Sequence, residues 1–146
     1  MNPVPVKRWS VTVLSDVDGP LRLFAGHEPA TEWSAGTRLD LSPVEHLLLA
    51  VGTCYALSCR AALAARRLPR VGFRVTTFGV KASDAPVRLA HIDNLVSFDA
   101  GLVQADAEAV AADAKALCTV SNTILLPPEM TVRVLAQASV PPASSD

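Results

Sequence analysis

One segment decides most of what this chain can become: Ser42-Pro43-Val44-Glu45, followed by an unbroken stretch to Arg67 in which only Gly52 disfavours a helix. Serine at the N-cap, proline at the first helical position and glutamate at the third satisfy the orphan amides of a helix start reciprocally. At 1.5 Å per residue the predicted helix reaches about 37 Å. Its first half, Leu47 to Leu57, is apolar nearly all round, and such a helix must be covered on every side. Its second half gains Arg60, Arg66 and Arg67 and so emerges into solvent. The strongly apolar run Leu47 to Cys59 falls short of the roughly 20 residues that cross a bilayer and carries Gly52, Thr53 and Ser58. It reads as a buried helix, and no membrane partner is expected.

The flanking segments must supply the cover. Val6 to Leu14 sets Val11 and Val13 against Ser10 and Thr12 with period two and stops at Asp18-Gly19-Pro20, a strand and a turn. Leu21 to Ala25 is a second strand, and the polar stretch His27 to Asp40 reads as loop with a third strand around Arg38 to Leu41. Val71 to Lys81 and Arg88 to Phe98 form a predicted hairpin across Ser83-Asp84-Ala85-Pro86. Asp106 to Leu117 is an alanine-rich second helix, expected to run on through Cys118 to about Leu125. Pro127-Pro128 stops it, Met130 to Leu135 is a last strand, and residues 139–146 are a frayed tail. The order β-β-β-α-β-β-α-β over residues 1–138 is one α+β domain.

With 50% of its 146 residues hydrophobic and 18% charged, the chain can build a core. A net charge of −1 lacks the basic excess that draws phosphate backbones, so nucleic acid is not an expected partner. The first eight residues offer no apolar core for an export signal, which makes the cytoplasm the expected location. The three cysteines, Cys54, Cys59 and Cys118, stand at no metal-ligand spacing. His27, His46 and His91 are scattered, so neither a metal nor a cofactor is expected. Taken singly, each thiol reads as a small buried hydrophobe.

Ser42-Pro43-Val44-Glu45-His46-Leu47-Leu48-Leu49-Ala50-Val51-Gly52-Thr53-Cys54 resembles the entry to the central helix of the OsmC/Ohr family, where a proline precedes a reactive cysteine by eleven positions. Cys118-Thr119-Val120-Ser121-Asn122 resembles the second motif of that family. The resemblance implies an interlocked homodimer of β(3)-α-β(2)-α-β subunits, with N-terminal strands completing the partner's sheet. It implies thiol-based reduction of organic hydroperoxides: Cys54 attacks, Cys118 resolves to a disulfide, and a small dithiol, such as a lipoylated protein, reopens it. It also implies an activating arginine supported by a carboxylate. Arg8, Arg22 and Arg38 are the candidates, with Arg38 preferred for its nearness to the helix entry, and Glu45 is the candidate carboxylate. The family's strongest peroxidases place glutamate directly after the proline, where this chain has Val44, and Glu45 is explained equally by the helix cap. Cys59, turned from Cys54 by about 140° around the helix, is assigned a structural role. Trp33 is a candidate wall for an alkyl chain, and His46 a surface residue. The competing reading is a non-catalytic dimer of the same family that binds a small apolar ligand or senses oxidants through these thiols.

Overall fold

The computed structural model describes residues 6–26, 30–33, 40–124 and 129–135. Helix α1 spans Pro43–Ala65 and starts as its sequence dictates. The Glu45 amide donates to Ser42 Oγ at 3.2 Å, and the Ser42 amide donates to Glu45 Oε2 at 2.7 Å. It stops two residues before the expected Arg67. Arg67 turns into the left-handed region (φ 55°), while its amide bonds Ala64 O and that of Leu68 reaches Leu63 O. These two bonds close the helix end and satisfy its last carbonyls. By length and apolarity α1 could cross a membrane; here it packs inside the fold.

The partner of α1 is a six-stranded sheet in the order β3-β2-β1-β4-β5-β6. β1 (Arg8–Ser15) and β2 (Arg22–Ala25) form the N-terminal hairpin, and β4 (Phe73–Lys81) and β5 (Leu89–Phe98) form the second. β1 pairs antiparallel with β4 from Arg8↔Val80 to Ser15↔Phe73. Within the subunit β1 is thus matched to β4 over eight consecutive ladder positions. β3 is Thr31–Trp33, upstream of the expected position. It pairs with β2, where Arg22 and Glu32 make a two-bond ion pair. Leu41 instead packs against the buried cluster of Val11, Leu48 and Val51.

Val13, Val75, Val96 and Phe98 face α1 and its Tyr55, Cys59 and Leu63 in the larger core cluster. Gly52 lets the helix approach closely. A Cβ at that position would stand 2.7 Å from Thr77 Oγ1 and 3.4 Å from Val13 Cγ2. Thr77 Oγ1 donates to Asn94 Oδ1 at 2.6 Å, so this buried pair is satisfied beneath the helix.

Helix α2 (Gln104–Leu117) does not continue to Leu125. The backbone opens at Cys118 (φ −75°, ψ 95°), and a single turn, α3 (Thr119–Thr123), restarts in a new direction. The break is held by Asn122, whose Nδ2 donates to Ala116 O at 2.9 Å and takes up a carbonyl freed at the end of α2. β6 (Glu129–Val134) then adds parallel to β5. The expected tail, 139–146, lies outside the described residues.

The sheet and α2 cover one side of α1 only. Leu47, Ala50, Leu57, Ala61 and Ala64 follow helical spacing along the opposite side and are exposed, Leu57 by 53%. An apolar stripe of this kind on a 23-residue helix is the outstanding surface feature of the subunit.

Candidate functional site

Cys54 sits at the border of that stripe, half-buried, and packs against the core cluster that contains Cys118. Cys118 is fully buried at the opening between α2 and α3. That opening turns the thiol toward α1. Burial pushes the Cys118 thiol up from its ordinary value, hydrogen bonds from Ser121 pull it down, and hydrogen bonding and charge from Cys54 push it up again. The structure thus brings the two sequence-predicted thiols into one interacting pair, one half-exposed and one sealed.

Ser121 has no part in the sequence prediction beyond its place in the motif. Its Oγ lies 3.0 Å from Cys118 Sγ, and it is itself 3% exposed. The signal for it is the i, i+3 spacing, which acquires meaning only once the chain is known to open at Cys118. Ser58 Oγ donates to Cys54 O at 2.9 Å and fixes the helix backbone at the half-exposed thiol.

Cys59 lies on the buried side of α1, as its assigned structural role requires. It is less remote from the pair than helix geometry suggests, since the charge of Cys118 acts on it. Burial, followed by weaker opposing effects, pushes its thiol up from 9.0 to about 12. Tyr55 is raised too, mainly by burial, and its hydroxyl donates to Ala111 O at 3.3 Å. The unfolded chain releases the Cys59 proton near pH 9, whereas the folded protein holds it to about pH 12. The stabilisation is therefore fully present below pH 9 and is lost as pH rises from 9 toward 12. Thermal unfolding followed across that window should fall more steeply for the unchanged protein than for Cys59→Ala; parallel curves would contradict the assignment.

The remaining expectations divide. Glu45 is placed in the capping box, where its carboxylate accepts the Ser42 amide. His46 is exposed, with Nδ1 3.0 Å from Ser42 O. Arg22 is held by Glu32 over the Phe24 ring, and Arg8 is exposed at the start of β1. Arg38, the preferred activating cation, lies outside the described residues. Trp33 is 45% exposed on β3, paired with Leu23, and not in a loop before α1. Among the described residues no group of three or more His, Cys, Asp or Glu is gathered as a metal site would require.

The family model described as OsmC-like protein matches residues 36–133. No curated protein matches the chain. Solved structures share the fold at low identity. A hypothetical protein from Aquifex aeolicus VF5 is 14% identical, with a TM-score of 0.59 over 78% of this chain and 87% of that one. The organic hydroperoxide resistance protein OhrB of Bacillus subtilis is 8% identical, with a TM-score of 0.57 over 90% and 98%. An OsmC-like hydroperoxide resistance protein from Jannaschia sp. ccs1 is 12% identical, with a TM-score of 0.51 over 80% and 85%.

Proposed function

Because the chain belongs to the OsmC-like family, we propose that it is a thiol-dependent peroxidase that reduces organic hydroperoxides through Cys54 and Cys118. The observation that carries this reading is the asymmetry of the pair: the half-exposed thiol can meet a substrate, and the sealed one can meet only its neighbour. Cys54 as thiolate attacks the outer oxygen of the O–O bond, which breaks and expels an alkoxide that leaves as the alcohol; Cys54 becomes a sulfenic acid. The Cys118 sulfur then displaces hydroxide from it, and a disulfide and water result. A dithiol reductant, a lipoylated protein in this proposal, transfers two electrons and two protons to restore both thiols. Resistance to hydroperoxides, named for two of the solved relatives, supports the substrate class.

The exposed stripe of α1 supports the homodimer. Leu57 and its neighbours flank Cys54, so a second copy laid along them would cover the apolar side of the thiol and provide the dry wall that an alkyl hydroperoxide needs. Light scattering at micromolar concentration should return twice the 15.4 kDa subunit mass. A monomer would remove the homodimer from the proposal. The proposed cytoplasmic location agrees with a cycle that must be re-reduced continually.

The chemistry is tested by adding one equivalent of cumene hydroperoxide to the reduced protein and mapping cysteines by peptide mass spectrometry. A Cys54–Cys118 disulfide should form within seconds. Slow, unselective oxidation over hours would refute the peroxidase and leave a binding or sensing dimer.

A further inference from the structure

The thiol pair leaves one charged group of the core unexplained. Arg60 is the one arginine among the described residues that is not exposed. Its Nε donates to Ser15 Oγ at 2.8 Å, while its Nη2 is sealed from solvent and has no hydrogen-bond partner among the described residues. Arg22, Arg66, Arg70 and Arg88 each face a carboxylate, and among the described residues Arg60 faces none. A guanidinium cannot relieve its burial by giving up a proton, so a half-buried one calls for an anion and for acceptors in the plane of its fork.

Beside it lies a cavity of about 290 Å³, near the lower end of the volumes that hold small ligands. Ser15, Asp16, Arg60 and Arg70 form its polar wall, and Leu63 and Phe73 contribute to its apolar one. Arg70 is already met by Asp18 and donates to Val17 O at 3.0 Å. Asp16 adds a negative charge to the same wall. The charges around the cavity then sum to zero, and the single cation without a direct carboxylate partner is Arg60, which suits a monoanion and disfavours a phosphate dianion. The apolar wall in turn asks for a hydrocarbon portion on that anion.

The geometry points to a binding site for a small monocarboxylate with a short apolar chain, its carboxylate against the Arg60 guanidinium beside Ser15 and its chain along Leu63 and Phe73. Arg60 is six residues beyond Cys54, about 9 Å along the helix axis and across the exposed stripe from it. The site is therefore separate from the thiol pair and does not depend on the peroxidase reading.

Calorimetric titration of the full chain with hexanoate, hexan-1-ol and inorganic phosphate tests it. Hexanoate should bind saturably and at least tenfold more tightly than either of the others. Arg60→Met should lower hexanoate affinity at least tenfold without changing that for hexan-1-ol, and Cys54→Ser should bind hexanoate as the unchanged protein does. Equal affinity for hexanoate and hexan-1-ol would show an apolar hollow without anion recognition and overturn the proposal. So would tighter binding of phosphate, no saturable binding of hexanoate, or its loss in Cys54→Ser. The ratio of hexanoate to hexan-1-ol in the unchanged protein decides the question even should Arg60→Met not fold.

Discussion

Cys54→Ser is expected to consume no hydroperoxide even in a single turnover, a loss of several orders of magnitude in rate. The argument is one of access. Cys59 and Cys118 are both fully buried, and burial holds both thiols in their protonated, unreactive form near neutral pH. Cys118→Ser should behave differently. It should still consume about one equivalent, stop as a sulfenic acid on Cys54 that dimedone traps, and turn over only partly with added thiol. Rapid-quench measurement of peroxide consumed per subunit separates the two variants. The opposite pattern, with Cys118→Ser inert and Cys54→Ser reactive, would reverse the assigned roles. Equal consumption by both would show that neither thiol carries the reaction.

The second large effect is on stability. Tyr55 is fully buried between α1 and α2, and its hydroxyl ties the two helices at Ala111 O. Tyr55→Ala removes an aromatic side chain from a packed core and should cost about 3–5 kcal/mol. At roughly 2–4 °C per kcal/mol for a chain of this size, the thermal midpoint should drop by about 6–20 °C. Tyr55→Phe keeps the ring and should cost only about 1 kcal/mol, the value of one neutral hydrogen bond. Because Tyr55 also lies against Cys59, Tyr55→Ala should open that thiol to iodoacetamide while Tyr55→Phe leaves it protected. Near-equal midpoints for both variants would mean that the ring is dispensable to the helix contact.

What was legible in the sequence was local. The start of α1 is written in Ser42, Pro43 and Glu45 because a cap is made by residues three apart. The hairpin of β4 and β5 follows from two β-branched runs and the turn between them. The position of β3 was not legible, since three residues on a sheet edge are fixed by their pairing with β2 and by the Arg22–Glu32 bridge. Nor was the break at Cys118: Thr119 to Thr123 is itself helical, and the bond that holds the break, from the Asn122 side chain back to Ala116, spans six residues. Composition showed that α1 is apolar all round but not which side the chain would leave bare. At the site, resemblance supplied Cys54 and Cys118. Ser121 acquires a role only through the break, and the unpaired Arg60 became visible only with its surroundings.

The parallel pairing of β5 with β6 bears on when the thiols meet. Parallel neighbours cannot be joined by a tight turn; the chain must travel back along the sheet, and here it does so through α2 and α3 with Cys118 between them. The residue is thus carried on a return path anchored at its far end by β6, among the last strands to leave the ribosome. Beyond α2, Cys118 is held against α1 by the turn that follows it, whose Val120 and Ile124 pack on the cluster of Leu48 and Val51, and by Glu129–Val134 on β5. The thiol pair is therefore a product of tertiary packing, since neither helix alone brings the two cysteines together.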